Sequence, residues 1–140
     1  IKKAVRIFDV IETIHTLKQL IKVDLEAKKI NKIQKFLFQV NIGKDIKKKG
    51  VSIEELDFLI NESEKYKNIK PIGLMTILPQ QINKKQQQKY YEKMKKIFIE
   101  IKKTYPQYIN LSMGMSDDYI TASRQGATHV RIGTLLYGQR

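Results

Sequence analysis

The sequence predicts an α/β fold with a parallel sheet, and two observations support this. Apolar segments typical of strands alternate five times with segments of helical periodicity along the 140 residues. Most of these apolar segments are also too continuous to leave one face in water, as is typical of strands that are covered on both faces. An open doubly wound sheet and part of a (β/α)8 barrel both satisfy this pattern, and periodicity alone does not choose between them.

The first half of the chain supplies two strands and two helices. Residues 10–17 (VIETIHTL) are rich in β-branched side chains and predict a strand, which a lysine-rich helix over residues 18–32 follows. The almost wholly apolar run 36–42 (FLFQVNI) predicts the second strand. Ser52 and Glu55 form a capping-box pattern at the start of the second helix. The apolar stripes comprise Leu17, Leu20, Ile21, Leu25 and Ile30 in the first helix, and Leu56, Leu59 and Ile60 in the second, which ends near Tyr66.

The second half continues the alternation with three strands and two helices. Residues 71–78 (PIGLMTIL), 108–113 and 128–136 predict the strands. Between them, residues 85–104 predict the longest helix and residues 117–125 a short one. The apolar stripe of the long helix consists of Tyr91, Met94, Ile97, Phe98, Ile101 and Tyr105, and Gly126 is expected to end the short helix.

The charge balance does not by itself indicate a specific nucleic-acid partner. Lysine and arginine total 27 against 14 acids, a formal net charge of +13, and clustered cations bind phosphate backbones by releasing counterions. Only four of the 27 are arginines, the residue type that contacts base edges and phosphates in a bidentate way. Because no recognition motif accompanies the charge, a basic nucleic-acid-binding module is kept only as an alternative.

The composition also excludes several kinds of site. The chain has no cysteine, so it forms no disulfide, no thiolate nucleophile and no cysteine metal site. No apolar run approaches the roughly 20 residues that a membrane span needs, and the opening IKKAVRIFDV lacks the apolar core of a signal peptide. We therefore expect no metal and no membrane partner.

The last 30 residues carry the richest local signal. A predicted strand ends at Gly114, and Ser116 follows where the N-cap of the next helix belongs, a position at which free N–H groups and a hydroxyl can bind an anion. Fifteen residues later the next strand carries Arg131, Gly133 and Thr134, and a glycine there allows the backbone to approach a ligand closely. In barrels of this class the loops after the last two strands commonly hold a phosphate. Both features therefore predict one phosphate site.

The same segment resembles a known family. LSMGMSDDY followed by GATHVRIGTLLYG is similar to the C-terminal signature of the pyridoxal phosphate homeostasis proteins, which have an alanine-racemase-like barrel. The segments IETIHTL, FQVNIGKDIKKKGV and GLMTILP resemble further parts of that family in the same order. The resemblance covers essentially the whole chain and implies a (β/α)8 TIM-type barrel that binds pyridoxal 5'-phosphate (PLP) and buffers or delivers it, without a turnover reaction.

The resemblance also implies roles for individual residues. Ser116 would bind the cofactor phosphate with its hydroxyl, Gly133 and Thr134 would add backbone N–H groups and a second hydroxyl, and Arg131 would face the pyridine nitrogen. A cation there keeps that nitrogen unprotonated and weakens the ring as an electron sink. The implied partners are the cofactor and PLP-dependent client enzymes, and the implied location is the cytoplasm, or the mitochondrion in a eukaryote.

Two departures from the family pattern limit the prediction. Lys18 stands where the family usually has aspartate. The lysine that binds the cofactor covalently lies on an early strand of the family, in an Ala-Val-Ser-Lys context that none of the lysines here shares. We therefore expect residues 1–140 to be the C-terminal part of a single PLP-binding barrel, with the last five of eight βα units, and we assign no catalytic residue.

Other readings of individual residues remain open. A racemase-type enzyme acting on amino acids is the main alternative, although it needs a second domain and a catalytic tyrosine from it. His15 lies at a strand end and could act as a catalytic group, but a packing role is the favoured interpretation. Asp117 and Asp118 are favoured as acids that complement a helix dipole. The basic run 47–49 is favoured as a solvated loop over an anion site.

Overall fold

The strands pair in the order in which they occur along the chain. The protein is represented by a computed structural model that describes residues 1–138. Its sheet is parallel throughout, with the order β1-β2-β3-β4-β5, and the strands are β1 (Val10–Ile14), β2 (Gln34–Val40), β3 (Ile69–Thr76), β4 (Asn110–Met115) and β5 (His129–Arg131). A doubly wound sheet would reverse its strand order part-way. The sequential order is that of a (β/α) barrel, which decides between the two predicted architectures.

Six helices accompany the sheet within residues 1–138. They are α1 (Lys2–Ile7), α2 (Leu17–Lys28), α3 (Ile53–Ser63), α4 (Lys84–Thr104), α5 (Tyr119–Arg124) and α6 (Thr134–Tyr137). None of these helices combines the length and the apolar character needed to cross a bilayer. The strand and helix alternation predicted from the sequence is confirmed from β1 to β5.

The sheet is curled rather than flat. The Ser112 hydroxyl on β4 donates a hydrogen bond of 2.7 Å to the Glu12 carboxylate on β1, although β2 and β3 lie between these strands. In a flat sheet two strands in these positions would be about 14 Å apart, at about 4.8 Å per strand. The contact is therefore made across the concave face of a five-stranded partial barrel.

The core is built on β2 and the helices outside it. All residues from Phe36 to Val40 are buried, which confirms that this strand is covered on both faces. The predicted stripe of α4 is also confirmed, because Tyr91, Met94, Phe98 and Ile101 are buried.

Helix α2 turns a different face to the sheet from the predicted one. The structure buries Leu20, Val23 and Ala27, whereas Leu25 is 52% exposed and Ile21 and Ile30 are also exposed. The predicted stripe was therefore wrong apart from Leu20 and the half-buried Leu17. The physical reason is that Ala27 is small enough to let the helix approach the sheet. The larger apolar side chains of Ile21, Leu25 and Ile30 produced a helical pattern that indicated another face.

Helix caps set the boundaries of the early elements. Strand β1 ends at Ile14 rather than at residue 17, because Thr16 accepts the Gln19 N–H and caps α2. Ser52 caps α3 as expected, but the Glu55 carboxylate accepts the Ser52 hydroxyl proton, so the reciprocal half of the capping box is not formed. Helix α1 was not predicted.

The C-terminal strand is shorter than predicted. Residues 128–136 were predicted as one strand, but β5 covers only residues 129–131, and Thr134 begins the short helix α6. At Gly133 the backbone leaves the extended region, with φ −123° and ψ −78°. The prediction was wrong because Leu135 and Leu136 continue an apolar run that resembles a strand, although both are exposed. Gly126 lies just beyond α5 and has φ +90°, as expected of a glycine that ends a helix.

The orientation of α2 is tested by two leucine truncations. We expect Leu20→Ala to lower the free energy of unfolding by about 2–5 kcal/mol, because it opens a cavity in the core. The same truncation at Leu25 is expected to cost less than about 0.5 kcal/mol, because that side chain is half in water. Urea denaturation followed by circular dichroism measures both. Equal losses would contradict the observed face of the helix.

Candidate functional site

A cavity opens at the carboxyl ends of the last three strands. Its volume is about 410 Å³, and it is bounded by residues 77–82 after β3, by Gln87 and Tyr91 of α4, and by Gly114, Met115, Asp117 and Asp118 at the end of β4. Arg131 from β5 also lines it. Ligand sites of barrels occur at this end of the strands, and the volume lies within the range of small-molecule pockets.

The guanidinium of Arg131 is fixed by neighbouring strands. One terminal nitrogen donates to the Ser112 hydroxyl and the other to the Thr76 carbonyl, each at 2.7 Å. Ser112, which is fully buried, in turn donates a hydrogen bond to the Glu12 carboxylate. Burial lowers the pKa of Arg131 from its ordinary value, and the Glu12 carboxylate opposes that shift. An arginine stays charged under these conditions, so the site holds a fixed cation.

The segment 115–118 is tied to α4. The Asp118 carboxylate accepts the Met115 N–H at 2.6 Å with one oxygen and the Tyr91 hydroxyl at 2.7 Å with the other. Burial, with the hydrogen bond to Asp118, raises the pKa of the Tyr91 phenol above its usual range. Gly114, just before this segment, has φ +96°, and a Cβ there would lie 2.5 Å from Ala122. The turn therefore has little freedom to shift.

The sequence predicted that Ser116 is the N-cap of α5, and this prediction was wrong. That position belongs to Asp118. The Ser116 hydroxyl instead accepts the backbone N–H groups of Gly133 at 3.2 Å and Leu135 at 3.3 Å. Within residues 1–138 the N–H of Thr134 has no protein acceptor. A hydroxyl and three backbone N–H groups thus lie together at the carboxyl ends of β4 and β5.

The four predicted site residues fall into two neighbouring groups. Ser116 lies beside Gly133 and the start of α6 at Thr134, whereas Arg131 faces the cavity. A Cβ on Gly133 would meet nothing within 4 Å, so the protein itself places no steric demand for glycine there. Sequence reasoning missed Glu12, although an acid inside the apolar run VIETIHTL was a usable signal.

A second cavity of about 440 Å³ adjoins the first and shares Lys48 and Ile77 with it. His15 and residues 47–49 line it. Lys47 and Lys49 are exposed and Lys48 is half-buried, which is consistent with the solvated loop that the sequence favoured. The buried Gln39 holds this loop through the Lys49 carbonyl at 2.9 Å. The ring nitrogen Nδ1 of His15 lies 3.0 Å from the Thr13 carbonyl and therefore carries its proton.

Among residues 1–138 no three His, Asp or Glu side chains are grouped so that they could hold a metal ion.

The comparison with protein families is decisive for the fold type. The family model described as "Alanine racemase, N-terminal domain" matches residues 1–140. The chain belongs to this family. The chain is also similar to proteins named pyridoxal phosphate homeostasis protein. The one from Aquifex aeolicus is 40% identical over 119 residues, which cover 84% of this chain and 52% of the relative.

A second relative with the same name and two solved structures are also similar to this chain. The pyridoxal phosphate homeostasis protein of Synechocystis is 36% identical over 140 residues and is covered to 64%. The structure of PipY from Synechococcus elongatus without PLP has a TM-score of 0.91 at 29% identity, and the match covers 98% of this chain and 65% of PipY. PipY with PLP bound gives a TM-score of 0.87. The chain thus spans between half and two thirds of these relatives.

The Arg131 network is tested by removing its central hydroxyl. Ser112→Ala is expected to lower the free energy of unfolding by about 2 kcal/mol, because it leaves charged groups without a hydrogen-bond partner. Ser63 is an equally buried serine whose hydroxyl donates only to the Ile60 carbonyl of its own helix, so Ser63→Ala is the matched control, with an expected cost of about 1 kcal/mol or less. Equal costs in urea denaturation would show that the network contributes nothing beyond a single hydrogen bond.

Proposed function

We propose that this chain binds pyridoxal 5'-phosphate and is part of a protein that buffers or delivers the cofactor without a turnover reaction. The observation that carries the proposal is the meeting of the Ser116 hydroxyl with the N–H groups of Gly133 and Leu135 beside the cavity that Arg131 lines. The PLP-bound structure of PipY and the names of the relatives support the same ligand.

The residues present fit a phosphate group. The hydrogen bonds that the Ser116 oxygen accepts are long, at 3.2 and 3.3 Å, so a charged phosphate oxygen can replace it as the acceptor. The hydroxyl is then free to donate to the same phosphate. The free N–H of Thr134 adds a further donor, and backbone N–H groups at a helix start are suited to anions.

Arg131 is the residue that would contact the other end of the ligand. When bound, PLP supplies an aldehyde that reacts with amines and a ring that withdraws electrons. The guanidinium, held by Ser112 and Thr76, would face the pyridine nitrogen and keep it unprotonated. A ring in that state is a weaker electron sink, which favours a carrier over a catalyst of amino-acid chemistry. The cytoplasmic location and the client enzymes are carried over from the resemblance as part of this proposal.

The proposal is tested with pyridoxine 5'-phosphate, which has an alcohol in place of the aldehyde and so does not react with the many lysines. Titration calorimetry compares it with pyridoxine, which lacks the phosphate. We expect the 140-residue chain to bind the phosphorylated form more tightly, and Ser116→Ala to weaken that binding about tenfold, the effect of one charged hydrogen bond. Ser123→Ala, which removes an exposed hydroxyl from α5, is the control and is expected to change nothing.

Two results would contradict the proposal. Equal affinity of the unaltered chain for pyridoxine and its phosphate would show that the chain has no phosphate site. Unchanged affinity of Ser116→Ala for pyridoxine 5'-phosphate would show that this residue is not part of the site.

A further inference from the structure

Tyr91 has a hydroxyl that its packing role does not need. The side chain is 1% exposed and belongs to the core stripe of α4, where a phenylalanine would fill almost the same volume. A buried tyrosine hydroxyl requires a hydrogen-bond partner, and this one donates to the Asp118 carboxylate at 2.7 Å. The neighbouring Tyr90 also packs against the core, and within residues 1–138 its hydroxyl has no carboxylate partner.

Asp118 uses the same carboxylate to close a turn. Its second oxygen accepts the Met115 N–H at 2.6 Å, while the Asp118 N–H donates to the Met115 carbonyl at 3.0 Å. These two bonds fix the backbone between the two residues. Ser116 lies inside this turn, and the direction of its hydroxyl therefore depends on the turn.

We propose that Tyr91 and Asp118 are positioning residues for the phosphate site. They hold the turn of residues 115–118 so that the Ser116 hydroxyl faces the N–H groups of residues 133 and 135. The inference rests on the proposed function, because it assigns the two residues to the phosphate-binding part of that site. Neither residue contacts the phosphate in this account, and both act through Ser116.

The electrostatics of the pair suit a fixed support. Burial keeps the phenol protonated, since it raises the pKa of Tyr91, so the hydroxyl remains a donor. A hydrogen bond from a neutral donor to a carboxylate is stronger than one between neutral groups. Its removal leaves one oxygen of Asp118 without its protein donor and loosens the turn at one end.

The test compares Tyr91→Phe with Tyr90→Phe as the matched control. The readout is the ratio of the affinities for pyridoxine 5'-phosphate and pyridoxine, which isolates the contribution of the phosphate. We expect Tyr91→Phe to lower this ratio about fivefold, less than the loss of a direct charged hydrogen bond, while the affinity for pyridoxine stays the same. Tyr90→Phe is expected to leave the ratio unchanged. A general loss of packing would lower both affinities together.

A double-mutant cycle with Ser116→Ala tests the route of the effect. If Tyr91 acts through Ser116, Tyr91→Phe changes the ratio little in a chain that already lacks the Ser116 hydroxyl. Asp118→Asn keeps an acceptor for the Met115 N–H. We therefore expect it to lower the preference for pyridoxine 5'-phosphate over pyridoxine less than Asp118→Ala does.

The outcomes separate this inference from the function on which it rests. An unaltered chain that binds both ligands equally overturns the proposed function and the positioning role together. An unaltered chain that prefers the phosphate, with the full preference kept in Tyr91→Phe, overturns the positioning role alone. An undiminished effect of Tyr91→Phe in the Ser116→Ala chain also overturns it, because the effect would then take another route.

Discussion

A guanidinium on the inner face of a sheet has to be given hydrogen-bond partners, and the fold is arranged around this need at Arg131. Its two terminal nitrogens bond to Ser112 on β4 and to the Thr76 carbonyl on β3, and Ser112 links the cation to Glu12 on β1. An unpaired charge in this position would be strongly destabilising. These partners come together only if the sheet curls, so the polar network and the barrel curvature support each other.

The direct pairing of β4 with β5 brings together the two turns of the proposed phosphate site. Strands β4 and β5 end side by side, and the segments that follow them contact each other through Ser116 and the N–H groups of residues 133 and 135. The proposed site thus has a rigid part, the cation held by the strands, and a part made from two turns. The first of these turns contains Asp118, which Tyr91 of α4 holds by a hydrogen bond. This division suits a ligand with a ring at one end and a phosphate at the other.

Long, regular patterns were predictable from the sequence, and contacts between distant residues were not. The continuous apolar run of β2 and the stripe of α4 give unambiguous signals, so both elements were placed correctly. The prediction that Ser116 caps α5 was wrong, because its hydroxyl instead accepts N–H groups that lie 17 and 19 residues away in the sequence. The link between Ser112 and Glu12 spans 100 residues, and no local pattern records such a pairing.

Residue-resolved NMR of the backbone amides, with inorganic phosphate as the added ligand, tests the central claim most directly. If the turns after β4 and β5 form the phosphate site, the largest changes in chemical shift occur at the N–H groups of Gly133, Thr134 and Leu135 and at Ser116. Changes confined to residues 47–49 of the second cavity, with residues 133–135 unaffected, would contradict it.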